Sequence, residues 1–123
     1  MLLDDVKVLF VDDEQDIVNV TRACLTAEGA RFISAEDGEK GVSLFRENRD
    51  VNIIVTDMRM PNKNGAELIK EIREFDLNTP ILALSGFSDY SHEEIRDMGG
   101  NDYLTKPLPI RTLVDKISEL IAH

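Results

Sequence analysis

A chain of 123 residues, 42% hydrophobic and 31% charged, is long enough to bury a core without staples and too apolar for a disordered segment. Its formal charge of −10, from 24 acidic and 14 basic residues, argues against direct contact with nucleic acid, whose backbone is held by clustered Lys and Arg. The longest apolar runs are far too short to span a bilayer, MLLDDVK lacks the features of a signal peptide, and one cysteine cannot form an internal disulfide, so the expectation is a soluble, cytoplasmic protein without membrane contact.

The first strand is VKVLFV, residues 6–11, a nearly continuous apolar run of the kind buried on both faces of a parallel sheet. It ends in Asp12, Asp13 and Glu14, adjacent like charges at the edge of a core. A helix follows over residues 15–28, with Ile17, Val20, Cys24 and Leu25 near one face and Cys24 read as a small buried hydrophobe. Glu14 and Asp16 open this helix, where negative charge favours the helix dipole. After a turn at Gly29 comes RFISA, residues 31–35. Asp37-Gly38 then turns the chain into a helix marked by Val42 and Phe45 and closed by Asn48 and Asp50.

VNIIVT, residues 51–56, is the third strand. The turn from Pro61 to Gly65 leads to a helix in which Leu68, Ile69 and Ile72 repeat with helical spacing. PILALS, residues 80–85, is the fourth strand. A helix with Ile95 and Met98 follows, and His92 reads as one of its surface residues. Gly99-Gly100 leads to NDYLT, residues 101–105. In the last helix Ile110, Leu113, Val114, Ile117, Leu120 and Ile121 follow the i, i+3, i+4, i+7 rule. No repeat, low-complexity tract or linker interrupts the pattern, so residues 1–123 read as one domain.

Strict strand–helix alternation implies right-handed crossovers and helices on both faces of a doubly wound, five-stranded parallel α/β sheet. The common strand order for such a sheet is 2-1-3-4-5, with its site at the carboxyl ends of the strands near the reversal of order. Those ends carry Asp12 and Asp13 after the first strand and Asp57 after the third. Ser85 stands at the end of the fourth strand and Lys106 after the fifth. Clustered carboxylates repel unless a cation or proton intervenes, and oxygen-only ligands point to a hard ion such as Mg²⁺. No His or Cys stands at a strand end, which argues against zinc. Carboxylates, a hydroxyl and a lysine together suit phosphoryl transfer, in which an Asp can be the nucleophile.

Each residue also has a plain structural reading. Asp12 and Asp13 could cap the following helix, Asp57 and Ser85 could form turns, and Lys106 could be a surface lysine. Their joint convergence on one rim of a sheet derived from hydrophobicity alone favours the site.

With LFVDDE, TDMRMPNKNG, LSG and DYLTKP in this order, the chain resembles the receiver domain of bacterial two-component response regulators, a flavodoxin-like fold. The resemblance covers essentially the whole chain. It implies that Asp57 accepts a phosphoryl group from a phosphohistidine on a sensor histidine kinase or histidine phosphotransfer protein. It implies that Asp13 ligates Mg²⁺ directly and Asp12 through water, joined by Asp57 and the backbone carbonyl of Arg59. Ser85 and Lys106 would meet phosphoryl oxygens, and Tyr103 would be an aromatic switch, although Tyr103 alone reads as a half-buried edge-strand aromatic. The resemblance implies a cis Lys106-Pro107 bond, whereas X-Pro statistics favour trans.

Two features depart from the family pattern or bear on phosphoryl lifetime. Lys63 stands where an apolar residue is common, which touches loop packing rather than chemistry. Arg59 and Phe87, each two residues beyond a site residue, are neither carboxylate nor amide and cannot orient an attacking water, so self-dephosphorylation is expected not to be fast. The expected function is a signalling switch that modifies only itself. Phosphorylation would shift the face formed by the fourth helix, fifth strand and last helix, read by an output domain or effector, with a phosphorylation-dependent dimer possible. A phosphorelay intermediate or phosphate sink is the alternative. A Mg²⁺-dependent phosphohydrolase lacks room for a cap domain, a flavin carrier lacks the Gly, Ser and Thr of a phosphate loop, and a degenerate receiver would not keep every catalytic position filled.

Overall fold

In the computed structural model the buried runs and amphipathic segments alternate as β1 (Lys7–Val11), α1 (Gln15–Ala27), β2 (Arg31–Ala35), α2 (Gly38–Glu47) and β3 (Ile53–Asp57). They continue as α3 (Gly65–Arg73), β4 (Ile81–Ser85), α4 (His92–Met98), β5 (Asp102–Thr105) and α5 (Ile110–Ile121). The structure describes residues 1–86, 90–107 and 109–122, so Phe87 and His123 lie outside the described residues. The five strands are parallel in the order β2-β1-β3-β4-β5, the doubly wound, flavodoxin-like arrangement expected from the sequence.

Side chains of a strand alternate between faces, and that period of two builds two cores from one sheet. On one face Leu9, Val11, Ile54, Ile81 and Ala83 pack against Val42 and Phe45 of α2, Ile72 of α3 and Ile95 of α4. On the other, Val8, Phe10, Val55, Leu82 and Leu84 meet Val18 and Leu25 of α1 and Leu113 and Ile117 of α5. The central strands β3 and β4 are buried along their whole length, which is why their sequences do not alternate. Ile72 is fully buried, so truncating it to Ala costs about 2–5 kcal/mol through lost transfer energy and the cavity left behind.

Local sequence sets the helix ends. Asn64 with Glu67 and Ser91 with Glu94 form reciprocal capping boxes at the starts of α3 and α4. Gly99, at φ 114°, ends α4 in the left-handed region that glycine enters without steric cost.

The face expected for α1 needs correction. Its buried residues are Val18, Thr21 and Leu25, whereas Ile17 and Val20 are exposed and Cys24 is only half-buried. The apolar residues at positions 17, 20 and 24 share helical spacing, but the stripe that meets the sheet is rotated by one residue, with Thr21 completing it. Ile17 and Val20 instead line a groove with Pro107 and Ile110. The third strand also begins and ends later than expected, so that Asp57 is its last residue rather than the first beyond it. The Lys106–Pro107 bond is cis, as the family resemblance implied. Among the described residues no helix is long and apolar enough to cross a membrane.

Candidate functional site

Parallel strands deliver their carboxyl ends to one rim, and the order reversal between β1 and β3 opens a crevice there. Val11 pairs with Thr56 in register, so the residues that follow, Asp12 and Asp57, stand side by side. Asp12 and Asp57 are buried, at 1% and 6% exposure, whereas Asp13 is exposed. Carboxylate oxygens of Asp12, Asp13 and Asp57 all lie within 4.8 Å of one another.

Lys106, delivered by the end of β5, answers this concentration of charge. Its Nζ donates to Asp12 Oδ2 at 3.1 Å and to Asp57 Oδ2 at 3.2 Å, and lies 4.0 Å from Glu14 Oε1. Burial pushes the Asp57 carboxyl above its ordinary pKa, the Asp12 charge adds to this, and Lys106 offsets only part of it. Burial also opposes the charge on Lys106, but Asp12 and Asp57 outweigh it and raise the ammonium pKa above its ordinary value. Asp12 and Asp57 each keep a backbone donor as well. The Glu14 amide donates to Asp12 Oδ1 at 2.9 Å, and the Arg59 amide lies 3.4 Å from Asp57 Oδ1.

The loop after β3 turns back tightly behind Asp57. A Cβ on Gly65 would stand 2.4 Å from the Asp57 carbonyl oxygen and 2.8 Å from Met58 Cα, so only glycine lets the chain pass there. The neighbouring Lys63, at a position where the resembled family commonly carries an apolar residue, turns its ammonium to Glu71 of α3, and its carbonyl accepts from Gly38 N at 2.8 Å. At Lys63 the loop is therefore held through polar contacts, while Met58 and Met60 pack on the core.

The remaining expected residues are placed less directly. Ser85 is buried at the end of β4, its hydroxyl donating to the Gly86 carbonyl at 3.1 Å. Tyr103 is half-buried in β5 with its ring 4.9 Å from that of His92. His92, expected as a plain surface residue, is exposed to about two-fifths yet also reaches Asp102 Oδ1 at 3.3 Å. The geometry thus gathers Asp12, Asp13, Asp57 and Lys106, sets Ser85 on the adjoining strand end, and leaves Tyr103 against α4. Reading the sequence alone missed two residues that brace this loop. Asp37 carries an N-cap signal besides its turn signal, and Asn62, whose amide reaches it, carries none.

The donor set suits a hard divalent ion: three carboxylates offer oxygen alone, and one of them, Asp13, faces solvent. Buried acids sharing a single lysine are left with an excess of negative charge that such an ion neutralises.

Comparison with known proteins places the chain among similar sequences and structures. The family model for the response regulator receiver domain matches residues 8–118. The response regulator SaeR of Staphylococcus aureus is 34% identical over 117 residues, which is 94% of this chain and 50% of that protein. The chain therefore spans about half the length of the curated relatives it matches. The receiver domain of the Francisella response regulator 1452 has a TM-score of 0.85 at 30% identity, covering 96% of this chain and 98% of the other. The Borrelia burgdorferi CheX–CheY complex with BeF3 and Mg²⁺ has a TM-score of 0.89 at 25% identity, covering 95% and 90%.

Proposed function

The chain belongs to the response regulator receiver domains of two-component systems, and from that membership we propose that it is a switch set by phosphorylation of Asp57. The observation that carries the proposal is the buried Asp57 carboxylate, held at the carboxyl end of β3 beside Asp12 and bound by Lys106. A carboxylate oxygen of Asp57 attacks the phosphorus of a phosphohistidine on a sensor kinase or phosphotransfer protein. The P–N bond breaks with its electron pair passing to the imidazole nitrogen, and an acyl phosphate remains on Asp57.

Asp13, Asp12, Asp57 and the Arg59 carbonyl would hold Mg²⁺, as the donor set suits and as the name of the similar Borrelia complex supports for its own receiver. When bound, the ion neutralises negative charge on the carboxylates and on the incoming phosphoryl oxygens. Lys106 pairs with a phosphoryl oxygen once Asp57 is phosphorylated, because its proton donors are then released from that carboxylate. The Ser85 hydroxyl exchanges the Gly86 carbonyl for a phosphoryl oxygen. Tyr103, which packs between β5 and α4, responds to that movement and alters the face formed by α4, β5 and α5. An output domain or effector reads that face. The domain acts in the cytoplasm and modifies only itself.

Self-dephosphorylation is slow in this reading, because Arg59 cannot orient a water as a carboxylate or amide would. Incubation of the chain with Mg²⁺ and acetyl phosphate tests the proposal. Intact-mass measurement should show the gain of one phosphoryl group, abolished by a chelator and persisting well beyond seconds after the donor is removed. A gain that is indifferent to the chelator contradicts it.

A further inference from the structure

The loop that carries Arg59 is clasped from outside the acid cluster. Asp37, buried at 5% exposure, caps α2 by accepting from Lys40 N through Oδ1 at 2.9 Å. Capping needs only one oxygen. The other, Oδ2, accepts from Asn62 Nδ2 at 3.0 Å, across 25 positions of sequence. Asn62 stands at φ 62°, in the left-handed region, where a side-chain hydrogen bond helps hold a non-glycine residue. Beside it Gly38 N donates to the Lys63 carbonyl at 2.8 Å, and a Cβ on Gly38 would lie 2.3 Å from that oxygen. The start of α2 and the loop are thus in direct backbone contact.

At its other end the loop is closed by Gly65 N donating to the Met58 carbonyl at 3.2 Å. Arg59, Met60 and Pro61 are therefore suspended between the end of β3 and a two-point clasp on α2. Arg59 and Asp13 line the same cavity of about 610 Å³. The Lys40 amide first, and the Asn62 amide second, hold the Asp37 carboxyl below its ordinary pKa, so both oxygens accept at neutral pH. Asp37 lies outside the group of carboxylates that converge, Asp12, Asp13 and Asp57.

We infer that Asp37 is a positioning residue for the divalent-ion site: through Asn62 it clasps the loop that presents the Arg59 carbonyl and so sets Mg²⁺ affinity. The inference rests on the Mg²⁺ site proposed above. Residues outside the ligand set that orient it commonly change metal affinity by about tenfold or more.

Mg²⁺ titration by calorimetry, with urea melts to show that each variant is folded, tests this in three substitutions. Asn62→Gly tolerates the left-handed backbone and removes the amide. Asp37→Ser keeps a capping hydroxyl too short to reach Asn62. Asp37→Asn keeps both hydrogen bonds if the Asn62 amide turns over. The expected result is Mg²⁺ binding weakened about tenfold in Asn62→Gly and Asp37→Ser and restored in Asp37→Asn. The Mg²⁺ concentration for half-maximal phosphorylation by acetyl phosphate should shift by the same factor. Wild-type affinity in the first two variants overturns the inference. So does an Asp37→Asn variant as weak as Asp37→Ser, because charge rather than the clasp would then be responsible. Asp13→Ala serves as the separate control: unchanged Mg²⁺ binding there overturns the site itself, and the inference with it.

Discussion

The Lys106 ammonium donates to the Asp57 carboxylate at 3.2 Å while also holding Asp12 at 3.1 Å, so one cation serves two buried acids. Asp57 remains under-compensated, its pKa raised by burial and by Asp12 despite Lys106. An under-compensated cluster of this kind favours the arrival of a cation, and it stores instability in the metal-free protein.

Replacing Asp57 by Asn should therefore stabilise the metal-free domain. A carboxyl whose folded pKa lies above its unfolded value destabilises the fold at every pH above both, and this penalty disappears as pH falls below the ordinary value of 3.8. Asp57→Asn should melt several degrees higher than wild type at neutral pH without Mg²⁺. The difference should shrink toward zero in acid, as read by thermal melts at both pH values.

Lys106→Met should have the opposite effect. It leaves Asp12 and Asp57 buried together without their shared cation, at a cost on the order of 2 kcal/mol. Urea unfolding without Mg²⁺ should show the loss, and added Mg²⁺ should recover more stability in this variant than in wild type.

Asp13 is exposed, so it can be removed without disturbing a core. Asp13→Ala should unfold at the wild-type urea midpoint yet bind Mg²⁺ at least about tenfold more weakly by calorimetry, with phosphorylation falling in parallel. Unaltered Mg²⁺ binding is incompatible with the ligand assignment.

Asp76 contributes acid-sensitive stability away from the site. Burial opposes its charge, but the amides of Thr79 and Asn78, the Thr79 hydroxyl and Arg49 prevail and lower its pKa to about 2. A depressed carboxyl stabilises the fold above its ordinary pKa, and that stability is lost as pH falls through the folded value. Relative to 3.8, a shift to about 2 corresponds to about 2 kcal/mol at neutral pH. Asp76→Ala should lose roughly that much in urea melts at pH 7 and little at pH 2.

Much of this arrangement is legible in the sequence because burial on both faces writes uninterrupted Val, Ile and Leu into β3 and β4. Strand–helix alternation then fixes the rim on which Asp12, Asp57 and Lys106 meet. Less legible is the rotation of a helix about its axis: Ile17 and Val20 keep helical spacing, yet Thr21 takes the buried position between Val18 and Leu25. The Asp37–Asn62 hydrogen bond is also hidden, since a capping Asp reads the same whether or not its second oxygen reaches across the fold.

Where the phosphoryl group goes tests most directly whether Asp57 is the acceptor. The chain should be treated with acetyl phosphate and Mg²⁺, the acyl phosphate reduced with borohydride, and the peptides sequenced by mass spectrometry. Residue 57 should be recovered as homoserine in wild type and no conversion should occur in Asp57→Asn. Conversion at another aspartate in the wild-type protein, or a stable phosphoryl group retained by Asp57→Asn, would contradict it.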